Sequence, residues 1–184
     1  MLEKQKKEQG EAVITTVFFD DKYELLHDRI NIRGVEPITE KDYFVRGCTA
    51  LLDAVGHTIN KIGRVQKHTA HSERAERVMF VITTDGMENA SREFTPEKIR
   101  EMITHQKVKY GWEFIFLGAN IDSAETAESF GIGRDMAADY NSDSAGTRLN
   151  YDVISEVVSD IRARRSISKE WKERIDEDRE KRRS

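Results

Sequence analysis

The chain has 184 residues, 38% hydrophobic and 35% charged, with 30 Lys and Arg against 34 Asp and Glu for a net charge of -4. That size suits one domain, or one domain with a tail. The charge balance excludes a bulk basic field for nucleic acid, the one cysteine excludes an internal disulfide and points to a reducing, cytoplasmic setting, and no apolar run approaches the length of a membrane span.

Met1–Gln9 has helical composition, no apolar stretch of the signal-peptide kind, and a stop at Gly10. Ala12–Phe19 is rich in β-branched and aromatic residues and reads as a buried strand. Asp20-Asp21-Lys22 turns it into a second strand, Tyr23–Ile32, so the pair reads as a hairpin. A loop punctuated by Gly34, Pro37 and Gly47 follows. Thr49–Lys67 places Leu51, Leu52, Val55, Ile59 and Ile62 on one helical face. Val78–Thr84 is the most continuous apolar strand and closes on Asp85-Gly86. Thr95 is a good N-cap and Pro96 suits the first helical position, so a helix runs from there to Tyr110, where Gly111 stops it. A core strand Glu113–Gly118, a short helix Ser123–Phe130, a weak strand Met136–Tyr140 and a long helix Gly146–Ile167 complete the order. The long helix carries Leu149, Val153, Val157, Val158 and Ile161 on its inner side.

After the hairpin, strands and helices alternate. That predicts an α/β fold: a doubly wound, mostly parallel sheet with helices on both faces. The domain is expected over residues 1–165, with a charged tail over 166–184. From Ser168 to Ser184, 13 of 17 residues are charged, with Trp171 and Ile175 one helical turn apart. This stretch reads as an exposed helix or a frayed, solubilising tail, in preference to a phosphate grip by Lys181-Arg182-Arg183.

Several features read as ordinary structure. His27, His57, His68, His71 and His105 lack metal-ligand spacing and read as surface or core residues. Cys48 reads as structural, with no base placed beside it. Gly131 and Gly133 follow a helix, whereas a dinucleotide loop follows a strand. Trp112, Phe114 and Phe116 read as a core strand, and Arg148, Arg162, Arg164 and Arg165 as a solvated face.

The run Val78–Gly86, ending in Thr84-Asp85-Gly86 and followed by Glu88-Asn89, resembles the metal-site strand of a von Willebrand factor A-type domain. Upstream, Gly47-Cys48-Thr49-Ala50-Leu51 resembles that family's Gly-Gly-Thr-x-Leu loop, which opens a helix. The element order from residue 11 to about 162 is also similar. The resemblance implies a metal-ion-dependent adhesion site. There a magnesium ion is held by oxygen ligands and takes an acidic side chain from a protein partner. It maps the site onto Thr49 and Asp85. The family's Asp-x-Ser-x-Ser loop and its first, central strand do not occur within residues 1–184; Asn141-Ser142-Asp143-Ser144 follows the wrong strand. Both would precede Met1, so the chain is expected to begin inside the first helix of such a domain, with the strands beside the gap left with open edges. Magnesium binding is then expected to be weak or absent, with Asp20 or Asp21 as a further nearby carboxylate.

The expected function is a non-enzymatic A-type module that binds a protein partner through an incomplete metal-dependent surface. Two alternatives stand beside it: a metal-assisted hydrolase or nucleotide-binding α/β enzyme using Asp85 and Asp20 or Asp21, and a truncated fragment without independent function. No nucleophile–base pair or phosphate loop supports the enzyme, and neither membrane nor nucleic acid is expected as a partner.

Overall fold

A computed structural model describes residues 1–39 and 47–183, so part of the loop predicted before the first long helix, residues 40–46, and the tail's Ser184 lie outside the described residues. The chain is mixed α/β and divides into two compact units, one formed by residues 1–47 with 140–184 and the other by residues 48–139. Among the described residues no helix is long and apolar enough to cross a membrane.

The first unit opens with α1 (Leu2–Gln5), shorter than the predicted helix, and Gly10 takes a left-handed φ of 84° where the stop was expected. β1 (Val13–Phe19) and β2 (Tyr23–Asn31) pair antiparallel as the predicted hairpin. Asp20 shapes the turn: its Oδ1 accepts from the Lys22 N–H at 2.6 Å. β1 was expected to be buried, but it is half-buried and Val13 is 58% exposed. Among the described residues the hairpin forms a two-stranded sheet, and β1 has a hydrogen-bonded strand on one side.

α5 (Ser144–Arg162) is the long helix. Asp143 caps it, accepting from Gly146 N–H at 2.8 Å. A Cβ on Gly146 would collide with the Asn141 carbonyl, so this first turn requires glycine. The helix ends five residues before the predicted Ile167, because Arg164 takes a left-handed φ of 60°. α1 docks on it through the buried Gln5, whose Nε2 donates to Ser155 O at 2.8 Å and Ser159 Oγ at 2.9 Å. Arg162, predicted to lie on a solvated face, instead donates to the carbonyls of Gln5, Glu8, Gln9 and Gly10 at 2.6–3.2 Å. The charged C-terminal stretch forms α6 (Glu173–Arg183), which is held rather than frayed. Trp171 and Ile175 are buried, Arg174 pairs with Glu156 of α5 at 2.9 Å, and Arg182 pairs with Asp143 and Asp178.

The second unit is α2 (Leu51–His68), β3 (Met79–Thr84), α3 (Pro96–Tyr110), β4 (Glu113–Gly118), α4 (Ser123–Ser129) and β5 (Ala137–Asp139). The three strands form a parallel sheet in the order β3-β4-β5. Met79 pairs with Glu113 and Thr84 with Gly118 at its ends. α3 begins and ends where its punctuation predicted: Thr95 Oγ1 accepts from Lys98 N–H at 3.3 Å, and Gly111 takes a φ of 66°. Gly131, at a φ of 80°, closes α4 in the same way and belongs to no phosphate loop. β4 is buried at every position from Phe114 to Gly118, so neither of its faces meets solvent. Trp112 and Phe114 stack on Phe80 of β3, with ring centroids 5.5 and 5.0 Å away. Burial of such large rings contributes about 2 to 3 kcal/mol each. β3 itself alternates: Ile82 and Thr84 are buried, while Val81 and Thr83 are exposed.

Candidate functional site

The carboxyl end of β3 meets the amino end of α2 within the second unit. Two loops with little regular structure make the corner, and their polar atoms are matched across a sequence gap of about 40 residues. At β3's end the buried Thr84 folds the turn: its Oγ1 donates to Gly86 O at 2.9 Å and accepts from Gly86 N–H at 3.4 Å. Asp85 is thereby left exposed at the tip. Thr49 lies against the same turn, since its Oγ1 would stand 3.5 Å from a Cβ on Gly86. Thr49 and Asn89 exchange two bonds, Thr49 N–H to Asn89 Oδ1 at 2.9 Å and Asn89 N–H to Thr49 O at 3.1 Å. The two residues that the resemblance mapped to a metal site, Thr49 and Asp85, thus belong to one corner.

The corner is built by two further carboxylates. α2 starts at an alanine N-cap that gives it no side-chain bond. Its orphan N–H groups need acceptors, because the first turn of any helix has none of its own. Glu88 supplies one: its Oε2 accepts from Leu52 N–H at 2.9 Å and from Ser91 Oγ at 2.8 Å. Its Oε1 accepts from the N–H groups of Ala90 and Ser91 at 2.9 and 2.8 Å. A carboxylate at a helix amino end also meets the positive end of the helix dipole. Ser91 Oγ then accepts from Asp53 N–H at 3.1 Å.

Asp53 works in the opposite direction. Its carboxylate accepts from the N–H groups of Arg92, Glu93 and Phe94 at 2.8, 3.0 and 2.9 Å. Burial pushes its carboxyl up, but these backbone donors outweigh burial and hold it below the ordinary aspartate value. Phe94 is thus pinned over Gly56, where a Cβ would stand 2.6 Å from its ring. His57 faces Glu93 at 3.4 Å and meets the Phe94 ring edge-on at 5.2 Å, which gives it a local packing role.

The donor set can be tested against magnesium. Among the described residues no group of three or more His, Cys, Asp or Glu is placed to hold a metal. Magnesium takes about six oxygen ligands, and Thr49 with Asp85 offers two. Glu88 and Asp53 already direct both their oxygens to N–H or O–H donors. Asn89 Oδ1 accepts from Thr49. By themselves the described residues do not fit a resident magnesium ion. Asp20 and Asp21 belong to the hairpin turn of the first unit.

Asp53 escaped the sequence reading, and Glu88 entered it only as the acidic residue after the Thr-Asp-Gly turn, although the two do most of the positioning. Nothing in the sequence signalled the need for them: Thr49 reads as a natural cap, and only the structure places the N-cap at Ala50, whose side chain accepts no bond. Cys48, read as structural, is exposed, so no packing holds it in a core. Comparison with protein-family models, curated proteins and solved structures returns no match to this chain.

Proposed function

We propose that the chain is a non-catalytic binding module of the von Willebrand factor A type, with the doubly wound architecture of that family. Its docking surface is the corner around Thr49 and Asp85, and its partner is a protein. The observation that supports this is the approach of the Thr49 hydroxyl to the Thr84-Asp85-Gly86 turn across a rigidly bonded frame. The exposed Asp85 carboxylate projects from a turn that the Thr84 hydroxyl holds through both polar groups of Gly86, which suits a preorganised contact that loses little entropy on binding. In this reading the contact is made by Asp85 and Thr49 at the corner itself.

Affinity capture from the native source, compared between the wild-type chain and Asp85→Ala, tests the reading. Capture of a defined protein that falls at least about tenfold with Asp85→Ala, and likewise with Thr49→Val, supports it. Capture unchanged by both substitutions overturns it. Repeating the wild-type capture in magnesium and in chelator separates a metal-bridged contact from a direct one.

A further inference from the structure

Met87 is the one large apolar residue of the loop from Asp85 to Glu93, and it is 72% exposed. It buries little, so folding gives no reason for an apolar side chain there. Its footing sets it apart from an ordinary exposed apolar residue, of which most surfaces carry several. On one side of it, Gly86 is held through both its polar groups by the Thr84 hydroxyl. On the other side, Glu88 accepts four bonds, from the N–H groups of Leu52, Ala90 and Ser91 and from Ser91 Oγ, at 2.8–2.9 Å. A flexible thioether thus stands exposed on a fixed backbone. Such a side chain fills irregular apolar pockets, and methionine is enriched where proteins meet.

We propose that Met87 is the apolar anchor of the docking corner, and that the partner protein presents an apolar pocket with a basic side chain at its rim. The inference rests on the docking reading above and names the partner's chemistry. The sign of the partner's charge follows from the loop's carboxylates. Three of the loop's four charged residues are acidic: Asp85, Glu88 and Glu93, against Arg92. Glu88 is committed to the four bonds just described, and Glu93 faces His57 at 3.4 Å. Among the described residues Asp85 has no ion-pair partner. Its exposed carboxylate stands two residues from Met87, so a lysine or arginine can meet it while an apolar pocket takes the thioether. An acidic partner would bring like charge to the same carboxylate, which such interfaces avoid. Apolar anchors carry affinity near the centre of an interface, whereas rim charge mainly sets specificity and the rate of association.

A random peptide library displayed on phage supplies the probe, selected on the immobilised full chain in magnesium and, in parallel, in chelator. Both selections should enrich peptides that carry lysine or arginine close to leucine, isoleucine, methionine or phenylalanine. A synthetic peptide of that consensus, titrated by fluorescence anisotropy, should bind Met87→Gln and Asp85→Lys at least about tenfold more weakly than wild type. The same peptide with its basic residue changed to glutamate should bind Asp85→Lys in preference to wild type. That recovery keeps the test independent of any folding defect, since only a folded variant regains binding. Binding indifferent to Met87→Gln overturns the anchor. A selection that yields acidic peptides, or no consensus, overturns the partner's chemistry. Acidic peptides that need magnesium and are lost with Asp85→Ala would still leave the docking reading standing. A consensus peptide that binds Asp85→Ala and Thr49→Val as well as wild type overturns that reading and this one together.

Discussion

Asp53 stands at the centre of the candidate site, although nothing in a chemical motif marks it. Its three backbone donors are spaced over Arg92, Glu93 and Phe94, so one carboxylate fixes the whole exit of the loop. Asp53→Asn keeps the shape but turns one acceptor into a donor that faces N–H groups. The expected cost is about 1 to 3 kcal/mol, read as a lower urea midpoint at neutral pH. The sign with pH follows from the lowered carboxyl. Stability from Asp53 is fully present above the ordinary aspartate value, about 4, and is lost as pH falls through the lower folded value. The gap between wild type and Asp53→Asn should therefore narrow only in acid. Gly56 depends on the same frame. Alanine inside a helix gains about 1 kcal/mol over glycine. Here its Cβ would stand 2.6 Å from a ring whose backbone is pinned, and such overpacking costs about 1 to 3 kcal/mol. Gly56→Ala should thus destabilise, and adding Phe94→Leu should recover part of the loss in the same urea titration. Thr49 and Asp85 were named through the resemblance of their local motifs, and the structure brings the two loops together. The roles of Glu88 and Asp53 were not legible, because they exist only once two distant loops meet.

At the scale of elements, the sequence was most legible where a boundary is set by local chemistry. Thr95, Pro96 and Gly111 delimit α3 through a cap, a fixed φ and a left-handed residue, and all three act as read. The end of α5 was not legible, since arginine gives no sign that residue 164 will turn left-handed. The charged C-terminus misled for a different reason: its 13 charges in 17 residues outweigh two apolar residues in any average, yet those two decide the packing. Trp171→Ala should cost about 3 kcal/mol, in the range for a buried large aromatic. It should also release α6, seen as faster amide exchange across Glu173–Arg183. α1 rests on a different device. Arg162 spans carbonyls from Gln5 to Gly10, a reach that the compact ammonium of lysine does not match. Arg162→Lys should speed exchange at Lys6, Lys7 and Glu8, whose N–H groups bond within the segment that Arg162 gathers. α6 should keep its protection in that variant.

At the scale of the whole molecule, strand composition and strand position carry different information. Val78–Thr84 is as apolar as a central strand, and its composition alone predicted burial. Among the described residues β4 takes the centre and is buried from Phe114 to Gly118, whereas β3 keeps Val81 and Thr83 exposed on one face: the same apolar composition serves a strand covered on both faces and one covered on a single face.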